Sequence, residues 1–222
     1  MPSGFFLAVF IFCKRTYPSF QVIRKDVKLM KNTKLRTLAE GAIMIALATV
    51  LSFIKVYKLP WGGSITLLSM LPIVIFSLRH GVIKGLGISF VYSLIQLFQG
   101  IVFDGLFAWG LTPVMLIGCI MLDYILAYTG LGVAGVFKSK GLMGQLIGIS
   151  IAVLIRLLCH FLSGVVIFAS MGMLWEGFYT ENSWIYSIIY NASYMLPELI
   201  FTLIGAVALL KVPQTKKIIL AE

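Results

Sequence analysis

Six apolar runs, joined by short charged or Gly/Pro-containing connections, make up most of this 222-residue chain. They fall near Leu38–Val56, Ile65–Leu78, Val82–Phe103, Pro113–Val136, Leu142–Met171 and Trp184–Leu210. A helix needs about 20 apolar residues to cross the ~30 Å hydrocarbon layer of a bilayer. Each run is long enough to cross, although the second is short and is expected to be tilted, broken or partly re-entrant. Lipid offers peptide groups no hydrogen bonds, so such runs satisfy their backbone internally, as helices. The fold class expected is an all-α integral membrane protein, a single six-transmembrane-helix bundle.

Charge placement fixes the expected orientation. Hydrophobic residues make up 60% of the chain and charged residues 12%, against about 25% charged in soluble domains. A formal charge of +10 would suit nucleic acid. The basic residues, however, sit at the ends of the runs, so they read as a topology signal and no nucleic-acid partner is expected. Lys28, Lys31, Lys34 and Arg36 precede the first run, Arg79 and Lys84 separate the second and third, Lys138 and Lys140 the fourth and fifth, and Lys211, Lys216 and Lys217 follow the sixth. Asp104, Glu176 and Glu181 fall on the opposite side, where Lys55 and Lys58 are the exceptions. Positive residues favour the cytoplasm, so both termini are expected there, in a multi-pass protein of the cell membrane.

The expected organisation is a cytoplasmic extension over residues 1–33, a membrane domain over 34–212 and a cytoplasmic tail over 213–222. Gly4–Cys13 is apolar but too short to cross, and Lys14, Arg15, Arg24 and Lys25 follow it, the reverse of a signal peptide. A floppy extension, or a true start near Met30, is the expected reading; an interfacial anchor competes with it. Cys13, Cys119 and Cys159 show neither pairing nor metal spacing.

Missing motifs narrow the function. The chain has no GxxxxGK[ST], HExxH, CxxC or GxSxG, so neither ATP hydrolysis on a phosphate loop nor the common hydrolase chemistries are expected. It is short for transporters built from two repeated halves. If it moves a solute, a partner supplies the energy.

Asp123, Arg156 and His160 lie inside the apolar runs, where ionisable side chains are costly and mark a ligand or ion path. In the fifth run Arg156, His160, Gly164 and Phe168 recur every four residues and so share a slowly rotating helix stripe. Imidazole, an open backbone at glycine and a phenyl ring suit a flat heteroaromatic ligand. The plainer alternative has Gly164 packing helices and His160 bonded to a carbonyl. Asp123 is the acid expected to face this stripe, either as an internal salt bridge to Arg156 or as counter-ion to a cationic ligand; Tyr124 adds a hydroxyl. In the sixth run Asn191 needs partners at membrane depth, and Tyr186 and Tyr190 can supply rings or hydroxyls, while Trp184 belongs to the interfacial belt.

Two further features invite assignment. Leu59-Pro-Trp61-Gly-Gly63 is a tight loop whose Trp61 can close over a ligand or simply sit at the interface. Ala42 and Ala46 form a small-xxx-small pair for internal packing or a partner protein, whereas Gly81/Gly85 and Gly144/Gly148 are assigned to internal packing.

The order of these motifs resembles the thiamine-specific S-components (ThiT family) of energy-coupling factor, or ECF, transporters. The resemblance rests on Trp61-Gly-Gly-Ser-Ile-Thr, Met70-Leu-Pro-Ile, Ser77-Leu-Arg-His-Gly81, Asp123-Tyr-Ile-Leu-Ala-Tyr, Arg156 with His160 and Ser163-Gly164, and Tyr186-Ser-Ile-Ile-Tyr-Asn191-Ala-Ser-Tyr194-Met-Leu-Pro197. It covers about residues 34–210. It implies a six-helix S-component in the cell membrane of a Gram-positive bacterium, capturing external thiamine and toppling to carry it inward. A membrane coupling subunit and two ATP-binding-cassette ATPases would drive the cycle. The family's alanine docking motif matches Ala42 and Ala46. Thiamine-binding positions match Asp123 (commonly Glu in the family), Tyr124, His160, Gly164, Tyr186 and Asn191, with Phe168 where some relatives stack a Trp. Nothing in the resemblance calls for a cofactor or a resident metal.

Thiamine also fits physically. Its thiazolium is a permanent cation that Asp123 and aromatic faces stabilise, and its aminopyrimidine pairs with amides and hydroxyls. Arg156 would repel that cation, so it is expected to point toward the cytoplasmic half or to pair away from the ligand. The lack of an obvious basic cluster argues against phosphorylated thiamine. Competing readings are an S-component for hydroxymethylpyrimidine or riboflavin, a stand-alone proton-coupled carrier, and an intramembrane enzyme using Asp123 and His160 as acid and base.

Overall fold

A computed structural model describes residues 33–59 and 62–220. The expected N-terminal extension and Trp61 therefore lie outside the described residues. The chain divides into two units, Met1–Glu40 and Gly41–Glu222. In the first, the described residues form the opening turns of a helix, where Arg36 Nε donates to Glu40 at 3.1 Å. The rest of the architecture belongs to the second.

In chain order the elements are α1 (Thr33–Phe53), β1 (Lys55–Lys58), β2 (Ser64–Thr66), α2 (Leu71–His80), α3 (Val82–Val102), α4 (Pro113–Phe137), α5 (Gly141–Phe168), β3 (Gly172–Trp175), β4 (Phe178–Thr180), α6 (Ser183–Lys211) and α7 (Pro213–Leu220). Five of these helices, α1, α3, α4, α5 and α6, are long and apolar enough to cross a membrane. Their outward faces carry exposed Ile43, Val50, Val114, Leu158 and Ile204. Apolar side chains all round a bundle suit a hydrocarbon solvent.

The second run departs from its expected bounds. Ile65 belongs to β2, Leu68 turns the chain at φ 61°, and the helix begins only at Leu71, with Pro72 in its first turn. Proline is favoured there because its missing N–H would find no intrahelical partner. Ten residues rise about 15 Å, half the hydrocarbon thickness. The shortfall is tolerated because Leu71 through Leu78 are all buried in protein rather than facing lipid.

Backbone-to-backbone packing holds α2 and α3 against the second half of α4. A Cβ on Gly85 would fall 2.8 Å from the Gly132 carbonyl oxygen, and one on Gly144 3.0 Å from that of Phe137. Gly148 is pressed against Ala134 in the same way, so three of the four glycines assigned to packing do pack. Gly81 does something else: at φ 86° it ends α2 and admits the turn into α3. Ser77 Oγ donates to the Gly132 carbonyl and accepts from Gly135 N at 3.0 Å, satisfying polar groups in this seam.

Two short antiparallel hairpins supplement the helices. β1 and β2 pair Lys55 with Thr66 and Lys58 with Ser64, while β3 and β4 pair Gly172 with Thr180. Both lie at one end of the bundle, where Phe53 meets Phe103 edge-on at 5.4 Å and Trp109 approaches Phe168 at 6.0 Å. The α2–α3 turn, Lys138 and α7 lie at the other. Helices α4 and α5 depart from α-geometry: Ile120–Leu126 in the middle of α4 and Gly164–Phe168 at the hairpin end of α5 are π-helical, and α4 closes in a 3-10 segment over Gly130–Phe137. The wider turn re-aims side chains, and such bulges concentrate at functional sites.

Candidate ligand-binding site

A cavity of about 730 Å³ opens at the hairpin end, within the usual 300–1,000 Å³ of small-molecule sites. Asp123, Tyr124, His160, Gly164, Phe168, Tyr186 and Asn191, the ligand-facing residues expected from the sequence and described here, all line it. The two π-helical segments supply Asp123, Tyr124, Gly164 and Phe168. Ala42 and Ala46 are exposed on α1, whereas Gly41, Ile45 and Ala48 turn inward. The alanine pair is thus no part of the internal packing.

Asp123 is the most heavily used acid on the wall. Its Oδ1 lies 2.8 Å from His160 Nδ1, and its Oδ2 accepts from Ser163 Oγ and from Cys119 Sγ, the latter at 3.3 Å. A salt bridge to Arg156 is not formed, which corrects that alternative. Two of the carboxylate's partners, His160 and Ser163, come from α5 beyond Arg156, and Cys119 comes from α4 itself. His160 likewise bonds a side chain and not a backbone carbonyl, and its Nε2 has no partner. With Nδ1 protonated toward the carboxylate, Nε2 offers a lone pair, or an N–H if the ring is doubly protonated.

Arg156 lines the cavity instead of pointing toward the cytoplasmic half, and it is paired, the second of the two arrangements expected. Its Nη1 donates to Glu198 Oε2 at 2.8 Å, its Nη2 to Tyr128 Oη at 2.9 Å, and the guanidinium lies 4.4 Å from the Tyr128 ring centre. Glu198 Oε1 also accepts from Thr66 N, at 2.9 Å, and from Thr66 Oγ1. One buried carboxylate therefore joins α5, α6 and β2.

On α6, Tyr186 and Tyr190 stack at 6.3 Å, and Tyr190 Oη accepts from Gly63 N at 2.9 Å, fastening the first hairpin. Asn191 is committed inside the protein: Nδ2 donates to Ser187 O at 2.9 Å and Oδ1 accepts from Tyr194 Oη at 2.7 Å. Its amide positions neighbours at least as much as it could meet a ligand. Gly164 is pressed against Ser187, where a Cβ would lie 3.0 Å from the serine Cβ. It serves helix packing while also bordering the cavity.

The mouth explains two features that charge counting left open. Lys55 and Lys58, exceptions to the charge pattern, each lie 3.3 Å from Asp104 Oδ1. Trp109, from the connection between α3 and α4, donates its ring N–H to Asp104 O at 3.0 Å and faces Phe168. Both lysines border the cavity, so basic groups are present there after all, opposed by one acid.

Sequence reading missed Glu198, Gln96 and Gln99. The glutamines line the α3 wall; Gln99 accepts from Ser52 Oγ at 3.1 Å, and both Nε2 atoms lack partners. Signals existed: two amides three residues apart in an apolar run share a helix face, and Glu198 is an acid deep in the sixth run. Among the described residues no group of acidic, histidine and cysteine side chains could hold a metal.

Comparisons with known proteins agree with one another. The family model described as thiamine transporter protein (Thia_YuaJ) matches residues 38–218. The protein named thiamine transporter ThiT from Bacillus subtilis (strain 168) is 34% identical over 184 residues, spanning 77% of this chain and 88% of that one. A solved structure of ThiT from Listeria monocytogenes is similar with a TM-score of 0.65 at 25% identity, covering 85% of this chain and all of the other.

Proposed function

The chain belongs to the thiamine transporter family, and from that premise we propose that it is the thiamine-capturing S-component of an ECF-type importer. The family is one of transporters, which sets aside the intramembrane-enzyme reading. One observation carries the proposal: an acid, an imidazole and several aromatic faces converge on a single cavity of ligand size. Asp123, polarised by His160 and Ser163, supplies negative potential for the thiazolium. Phe168, Trp109 and Tyr186 offer ring faces worth about 0.5–2 kcal/mol each to a cation. The unpartnered Nε2 of His160 and amide groups of Gln96 and Gln99 give the aminopyrimidine and hydroxyethyl groups hydrogen-bonding positions.

Charge distribution supports an outward-facing mouth, with both termini cytoplasmic. Trp61, which falls between β1 and β2 in the sequence, is the residue proposed to close over the ligand. The exposed Ala42–Ala46 face docks the coupling subunit, which with two ATPases supplies the energy, since the chain carries no nucleotide-binding loop.

Equilibrium titration of purified protein, read by quenching of tryptophan fluorescence, tests the ligand. Thiamine is expected to bind more tightly than hydroxymethylpyrimidine or riboflavin; tighter binding of either competitor overturns the assignment. Proteoliposomes test the partnership. Uptake is expected only with the coupling subunit and ATPases present, and uptake by the chain alone would mark a proton-coupled carrier instead.

A further inference from the structure

Arg156 poses a problem for any cationic ligand, because its guanidinium borders the cavity that must receive a positive charge. We propose that Glu198 is the specificity-determining partner that makes this cavity compatible with a cation. It cancels the Arg156 charge from behind the cavity wall and, through Thr66, fixes the first hairpin in the same act. The inference rests on the thiamine reading above and names a residue that reading does not require.

Three observations carry it. First, Glu198 is itself shielded: its side chain is 1% exposed and Arg156 7%, so neither charge is quenched by water. Buried charges interact strongly and over longer distances than exposed ones. Second, the carboxylate is held by partners from two directions, Arg156 on one oxygen and Thr66 N and Oγ1 on the other. Glu198 is sealed behind the cavity wall and is not among the residues that line it, so its effect on binding must pass through Arg156 and the hairpin. Third, the remaining Arg156 contacts do not remove its charge. Tyr128 Oη and Met70 Sδ, at 2.9 and 3.1 Å, are neutral acceptors. Of the two acids that line the cavity, Asp123 is engaged by His160, Ser163 and Cys119, and Asp104 by Lys55 and Lys58.

Glu198 is therefore a positioning residue with an electrostatic signature. A purely structural role would weaken every ligand alike, whereas charge cancellation separates ligands by charge. The test compares thiamine with its neutral thiophene isostere, in which the thiazolium nitrogen is replaced by carbon. Dissociation constants are measured for the wild type, Glu198→Gln, Arg156→Gln and the double variant. At an effective dielectric of about 20, an uncancelled charge some 8 Å from the ligand changes affinity roughly 30-fold. Glu198→Gln should thus lower the preference for thiamine over the isostere by about 30-fold, while the isostere's own affinity falls about threefold or less. The double variant, with both charges gone, should recover a preference within about threefold of wild type.

Arg156→Gln has the opposite sign. It leaves an anion behind the wall, so the preference for the cation should rise or stay level. That variant carries the test if Glu198→Gln does not fold. Equal losses for both ligands in Glu198→Gln, or a lowered cation preference in Arg156→Gln, would overturn the inference while leaving thiamine binding intact. A wild-type protein without any preference for thiamine over the isostere would instead overturn the cationic-ligand reading, and this inference with it.

Discussion

Two acid–base pairs sit about one turn of α5 apart around the same cavity, and they are built differently. Asp123 and His160 are 15% and 12% exposed, and the imidazole keeps one nitrogen without a partner. Arg156 and Glu198 are 7% and 1% exposed, and Glu198 does not line the cavity. An open pair has both members on the cavity wall, while a closed pair keeps its acid sealed behind that wall, where the acid acts only by holding its surroundings. Both place ionisable groups at membrane depth, where such groups are costly. The contrast shows that an intramembrane charge can serve recognition or scaffolding, and that the access of its acid to the cavity distinguishes the two.

The largest expected effect breaks the closed pair. Glu198→Ala leaves the Arg156 guanidinium and the Thr66 N–H without their acceptor in a nearly dry interior, which should destabilise the protein by about 3–5 kcal/mol. Equilibrium unfolding in mixed micelles would read this. Asp123→Ala should cost less, since water in the open cavity can reach the groups it leaves behind. Equal losses in the two variants would erase the distinction drawn here.

Next in size is the effect on ligand affinity at the open pair. Asp123→Asn keeps the side chain's shape but removes its charge, and should weaken thiamine binding by about 2 kcal/mol, roughly 30-fold. Stability should change by about 1 kcal/mol or less, because Asn can still accept from Ser163. Unchanged affinity in a titration would remove Asp123 from the site and leave the cavity without its anion.

This same contrast marks how far sequence reading reached. The open pair was legible because Asp123 and His160 stand out in apolar runs and because a four-residue stripe puts His160, Gly164 and Phe168 on one side of α5. The closed pair was half legible. Arg156 was noticed and correctly denied a free charge, but its partner was sought in Asp123. Pairing across α5 and α6 depends on how the helices are rotated about their axes, and hydropathy carries no such information. The bounds of α2 were missed for a related reason: Ile65 and Leu67 are apolar in a hairpin that packs on the bundle, so composition alone extended the helix into them. The π-helical turns that bring Asp123 and Phe168 to the cavity leave no mark on residue spacing. Trp109 and Asp104, by contrast, lie in the connection between the third and fourth runs, whose destination only three-dimensional packing supplies.

The smallest expected effect lies at the mouth, where a third set of charges resembles neither pair. Lys55 and Lys58 are 30% and 56% exposed and share Asp104 at 3.3 Å. Exposed ion pairs contribute about 0.2–1 kcal/mol and are screened by salt. Asp104→Asn therefore should barely change stability, yet it leaves two unopposed cations on the path of an incoming cation. Stopped-flow fluorescence should show thiamine association slowed about two- to threefold at low ionic strength, because like charges at an entrance repel during encounter. At about 1 M salt, where the Debye length is about 3 Å, the variant and wild type should associate at the same rate. A slowing that persists in high salt would mean that Asp104 acts by holding the hairpin and Trp109 in place, which would move the mouth from the electrostatic side of the comparison to the scaffolding side.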